Sequence, residues 1–166
     1  MNQLEIKTYP DPCLRVRTRP VEDFNKDLEE TVRKMADLMY ISNGIGLAAT
    51  QVGLGLCLFI ADIGEGLRVF ANPEIVETSK AKDRMEEGCL SLPGISVNVS
   101  RPLQIKVRAQ DAHGDVFLEK FSGLMAKVIQ HEMDHLNGKM LIDHLNSILR
   151  IMAERKLTRW KNDSKM

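Results

Sequence analysis

Leu28, Val32, Met35 and Met39 recur at intervals of three and four residues. This spacing lays one apolar stripe along a helix and predicts one over residues 28–41. Asp27 followed by Glu30 reads as a capping box at its start, and Asn43-Gly44 as its stop. Residues 57–61, Cys-Leu-Phe-Ile-Ala, form a short unbroken apolar run, the pattern of a buried strand. Residues 103–110 alternate strictly between apolar and polar, the pattern of a strand with one wet face. A loop over 111–115, with His113-Gly114 in it, and a returning strand over 116–121 complete a hairpin. Met125, Val128, Ile129, Glu132 and Leu136 return to helical spacing and predict a helix over 124–136, ended by Asn137-Gly138. A last helix is predicted over 145–160, with Leu145, Ile148, Leu149, Met152, Leu157 and Trp160 facing inward and the basic residues outward. A helix, a run of strands and then two helices is an α+β order, not an alternating one.

Composition narrows the class. Of the 166 residues, 43% are hydrophobic and 28% charged, ordinary values for one globular domain spanning 1–166. Lysine plus arginine and aspartate plus glutamate number 23 each, so no overall basic footprint for specific DNA binding exists. The balance hides an asymmetry: residues 145–166 carry Arg150, Arg155, Lys156, Arg159, Lys161 and Lys165 against Glu154 and Asp163, a net +4. This segment is expected to be a basic C-terminal helix and tail, and its plainest role is a solvated face. No stretch approaches the roughly 18 uninterrupted apolar residues of a membrane span. The start, Met1-Asn2-Gln3-Leu4-Glu5, lacks a basic-then-apolar leader pattern. Cys13, Cys57 and Cys89 are odd in number and widely spaced, which fits a reducing compartment.

The chemistry concentrates in three segments. Gln130-His131-Glu132-Met133-Asp134-His135-Leu136 places two histidines four residues apart on a predicted helix, hence on one face. His131 and His135 can therefore share one divalent ion. Glu132 lies about 100° around the axis, free to serve an open coordination position as a base. Three residues compete for the third ligand position. A histidine template fits poorly, because Leu141 stands where it is needed and His144 comes late. Glu154 lies near the spacing of a downstream glutamate ligand, as in a zinc peptidase. Cys89, in the polar, turn-rich segment Glu86-Glu87-Gly88-Cys89-Leu90-Ser91-Leu92-Pro93-Gly94, is the third. The remaining segment, Gly44-Ile45-Gly46-Leu47-Ala48-Ala49-Thr50-Gln51-Val52-Gly53, follows a helix and carries Ala49 in place of a third glycine, which argues against nucleotide binding. It reads as a loop hugging a ligand through its backbone, with Gln51 supplying the polar side chain.

Taken in order, residues 44–51, 87–91 and 130–136 resemble the three signature motifs of peptide deformylases, and Tyr9-Pro10-Asp11-Pro12 is similar to that family's N-terminal stretch. The resemblance covers about residues 4–145 and weakens beyond. It implies antiparallel sheets packed around a central metal-binding helix, with N-terminal and C-terminal helices. It implies removal of the formyl group from the N-terminal formyl-methionine of new polypeptides in the bacterial cytoplasm, releasing formate. Cys89, His131 and His135 match the metal ligands, Glu132 the general acid/base, and Gln51 with the Leu90 N–H the oxyanion contacts. Gly44, Ile45, Gly46, Glu87, Lys127 and Val128 fall where substrate is bound. One divalent ion per chain is implied, Fe²⁺ foremost, with Zn²⁺, Ni²⁺ or Co²⁺ able to replace it; hydroxide on that ion is then expected to attack the formyl carbon. Glu87 is expected to pair with Arg101 behind the cysteine. Lys127 stands where the resemblance implies an apolar residue, and predicts weaker selectivity for a methionine side chain. The basic C-terminal helix is a further candidate, for contact with ribosomal RNA beside emerging chains.

Overall fold

Strand β2 (Leu58–Ala61) is buried at every position because it runs through the middle of the molecule. Leu58 and Ile60 point one way, into a cluster with Val32, Met35 and Met39 of helix α1 (Lys26–Ile41). Phe59 and Ala61 point the other way, into a cluster with Met125, Ala126 and Ile129 of helix α2 (Gly123–Leu136). The unbroken apolar run of the sequence thus marks a strand with a helix on each face. These relations come from a computed structural model that describes residues 3–163. Met1 and Asn2, and Lys165 of the basic tail, lie outside the described residues.

The main sheet has five strands in the order β1 (Gly46–Ala48), β2, β3 (Arg68–Thr78), β6 (Gln104–Gln110) and β7 (Val116–Ser122), all pairings antiparallel. Phe59 stacks on Phe70 at 4.6 Å between ring centroids, directly beneath α2. Strands β4 (Lys82–Gly88) and β5 (Ser96–Pro102) form a separate antiparallel ribbon. Val97, Val99 and Arg101 of β5 are buried and alternate with exposed residues. The two valines join Leu14, Leu92, Met140 and Leu157 in a third cluster. The expected α+β arrangement of antiparallel sheets around a central helix is what the chain forms.

Two local expectations differ. The cap of α1 is Asn25, whose side chain accepts from the Asp27 and Leu28 N–H groups, so the helix starts ahead of the Asp27 box. Helix α3 (Ser147–Asp163) does not bury the stripe expected of it. Only Ala153 and Leu157 are buried, while Ile148 and Met152 are 73% and 60% exposed, and Leu149 and Trp160 also face outward. The helix lies on the rim and touches the third cluster along a single i, i+4 line. No helix among the described residues is long and apolar enough to cross a membrane.

Candidate active site

Helix α2 sets the geometry. Its inner face is covered by the main sheet, and its next face carries Leu124, Lys127, Val128 and His131 along a cleft of about 680 Å³. His131 and His135 lie one turn apart with ring centroids separated by 5.1 Å. Strand β4 ends at Gly88 and delivers Cys89 to the same point, with its Sγ 3.3 Å from His135 Nε2. The ligand atoms of Cys89, His131 and His135 all lie within 4.8 Å of one another. Ligands on one tetrahedral ion stand about 3.4–3.6 Å apart, so these atoms need little movement to share one. Glu154 lies elsewhere, accepting from the Tyr9 hydroxyl and from Arg150. His144 is held by Asp134 Oδ2 at 2.8 Å. Neither belongs to the cluster, so the zinc-peptidase ligand set is not assembled.

The surroundings prepare these atoms for a cation. His131 Nδ1 lies 2.9 Å from Glu87 Oε2, an arrangement that keeps its proton on Nδ1 and turns the Nε2 lone pair toward the cluster. Glu87 is locked in turn by Arg101 through two hydrogen bonds of 2.6 and 2.9 Å, as expected from the sequence. Burial works against the charge on Glu87, but His131 and Arg101 outweigh it and hold its pKa down at about 2. Burial likewise disfavours a charged His131, yet Cys89, Glu87 and Glu132 around it raise its pKa well above the ordinary value. Burial and the neighbouring His131 drive that of His135 well below. Arg101 also reaches Asp134 at 3.1 Å, so one guanidinium ties β4, β5 and α2 together behind the ligands. Asp134 escaped the sequence reading, although it sits inside the histidine motif and one turn from His131.

Glu132 is 3% exposed and its Oε2 has no hydrogen-bond partner. Burial pushes its carboxyl up to about 7. Gly46 explains how it fits: a methyl group there would collide with Glu132 Oε1 and stand 2.9 Å from Val128 Cγ1. The glycine of β1 is a requirement of close approach. Gln51 lies in a short 3₁₀ turn (Ala49–Val52) that packs against α2. Its Oε1 accepts from the Ala48 N–H at 2.8 Å, which fixes the amide. Its Nε2 donates to Ser91 Oγ at 3.1 Å and approaches Cys89 Sγ at 3.6 Å. Ser91, inside the quoted segment but given no role from sequence, thus orients Gln51. Gly44, Ile45, Gly46, Glu87 and Leu90 line the same cleft, so it gathers every predicted site residue except His135, which lies behind its wall. Lys127 lines it too, but its Nζ is drawn to Asp83 Oδ2 at 2.6 Å.

The buried Glu132, with its Oε2 unpartnered, and the His–His–Cys cluster suit a metal-dependent hydrolase, and comparison with known proteins agrees. The sequence model of the polypeptide deformylase family matches residues 3–150. The peptide deformylase of Thermotoga petrophila is 43% identical over 152 residues, covering 92% of this chain and 93% of that protein. That of Pseudomonas aeruginosa is 41% identical over 157 residues, covering 93% and 94%. A crystal structure of the Legionella pneumophila peptide deformylase superposes with a TM-score of 0.93 at 40% identity, covering 99% of this chain and 98% of that one. The chain therefore belongs to the peptide deformylases, metal-dependent hydrolases that act in protein biosynthesis.

Proposed function

We propose that the chain, as one catalytic domain over 1–166, removes the formyl group from the N-terminal formyl-methionine of nascent polypeptides and releases formate. The observation that carries this reading is that Cys89 and His131, two members of the Cys89–His131–His135 cluster, line a cleft that also holds Glu132 and the fixed Gln51 amide. Cys89 Sγ, His131 Nε2 and His135 Nε2 would hold one divalent ion. Fe²⁺ is the ion we assign in the cell, and Zn²⁺, Ni²⁺ or Co²⁺ suits the same mixed sulfur and nitrogen set. When bound, the ion supplies Lewis acidity, which makes water acidic enough to be deprotonated near neutral pH.

The protein residues do the rest. Glu132, with a pKa tuned by burial, takes the proton of the attacking water and later returns it to the departing amine. The Gln51 Nε2 and the Leu90 main-chain N–H meet the oxyanion that forms at the formyl oxygen, each such donor being worth about 3 kcal/mol of barrier. Ser91 and the Ala48 N–H keep Gln51 aimed before substrate arrives. Glu87 and Arg101 hold His131 in register. The peptide main chain lies along Gly44-Ile45-Gly46. This segment leads into β1, an edge strand paired only with β2, and an added strand is the natural ligand of such an edge. The first side chain enters the end of the cleft beside Val128 and Lys127.

The test is formate release from a formyl-Met peptide, with metal content assayed on the same anaerobic sample, because air threatens both Fe²⁺ and its thiolate ligand. The chain is expected to release formate. Glu132→Ala should keep its metal and lose turnover. A fully active Glu132→Ala variant would sink the acid/base role, and an inactive, fully loaded natural chain would sink the activity.

A further inference from the structure

Lys127 is the one lysine or arginine among the described residues that line the cleft. An ammonium in a pocket meant for an apolar side chain would spoil it, since an unpaired buried charge is strongly disfavoured. The geometry removes the conflict. The Lys127 side chain is 8% exposed, and its Nζ donates to Asp83 Oδ2 at 2.6 Å. Asp83 stands on β4, is 53% exposed, and does not itself line the cleft. The Lys127 head is thus held against β4, at a residue that does not line the cleft, while its methylene stem stays in the wall with Leu124, Val128 and Met85. Asp83 has no stronger claim on it. Arg101, opposite Asp83 in the strand register, is committed to Glu87 and Asp134.

We propose that Asp83 is the positioning residue for substrate selectivity: by holding the Lys127 ammonium on β4, away from the cleft, it leaves the pocket walled by methylenes and selects an unbranched apolar first side chain. This rests on the deformylase reading and names the element of this chain that sets its side-chain preference. It also reverses the sequence-based expectation that Lys127 weakens methionine selectivity, because the lysine acts as an apolar wall for as long as Asp83 is present. Without Asp83 the ammonium turns inward. There it meets Glu86, which lines the cleft, and any acidic group on the substrate.

The experiment compares kcat and KM for formyl-Met and formyl-Glu tripeptides in the metal-loaded natural chain, Asp83→Ala, Asp83→Glu, Lys127→Met and the Asp83→Ala/Lys127→Met double variant. Asp83 is half exposed, so its loss leaves the core intact. Asp83→Ala should lower the ratio of kcat/KM for formyl-Met over formyl-Glu by about tenfold or more, through KM and not kcat. Asp83→Glu should restore most of the ratio, and Lys127→Met should restore it in the Asp83→Ala background. A ratio that stays within about twofold in Asp83→Ala, or falls equally in the double variant, overturns the proposal while the deformylase reading stands. Failure of the natural chain to release formate from either peptide overturns both.

Discussion

At the scale of single residues, the site turns on which side chains lack partners and which have too many. Cys89, His131 and His135 converge, whereas Glu154 is spent on Tyr9 and Arg150. Cys89→Ala should therefore abolish stoichiometric metal binding and Glu154→Ala should retain it, as read by elemental analysis after gel filtration. The reverse pattern would return the peptidase ligand set. Glu87 carries a second consequence. Its folded pKa of about 2 lies below the ordinary 4.5, so its contribution to stability is complete above pH 4.5 and disappears as pH falls toward 2. Urea unfolding of the metal-free protein should show that loss across this window, and Glu87→Gln should flatten it. An equally steep profile in the variant would contradict the assignment. The sequence exposed the histidine pair and Glu132 through spacing alone, because a helix converts an interval of four into a shared face. It could not decide among Cys89, Glu154 and His144, since that choice depends on where β4 ends relative to α2.

At the scale of elements, hydrophobic periodicity worked where an element has one wet and one dry face. Helix α1 and strand β6 are of this kind, and each lies within a few residues of its expected span, as does helix α2, which is buried on most sides. Strands β3 and β4 were not legible. Most of β4 is exposed, with alternation only in Met85 and Glu87, and β3 runs out of the core along its length, so neither shows a sustained period of two. The third helix forms where expected, but its inward stripe does not, for the opposite reason. Ile148, Leu149 and Met152 have the right spacing for a buried stripe, but the third cluster has room only for Ala153 and Leu157. Spacing reports that a helix is amphipathic and not that its apolar side is covered.

At the scale of the whole molecule, the main sheet supplies Gly46 of β1 to the cleft and α2 supplies its histidine-bearing wall, while the ribbon supplies Glu87 and, just past its end, Cys89. Arg101, Glu87, Asp134 and the Lys127–Asp83 pair clamp the ribbon to α2. Opposite charges are thus concentrated between the parts, and α3 lies apart from them with Arg155 and Arg159 exposed. The plainest role of that basic face is a solvated one, and contact with ribosomal RNA near emerging chains is the alternative to be tested. On that alternative, replacing both arginines by glutamate should weaken co-sedimentation with ribosomes at low salt and leave short-peptide turnover unchanged. Co-sedimentation at the level of the natural chain would make the face merely solvated.

The free border of β1 reaches furthest. A row of main-chain amides distinguishes direction and spacing but is nearly blind to what hangs from the guest. On the proposed binding mode, discrimination is confined to one compartment beside α2, and everything after the first position passes unread. A catalyst built on such a border can serve every message the cell translates, however different the proteins that follow.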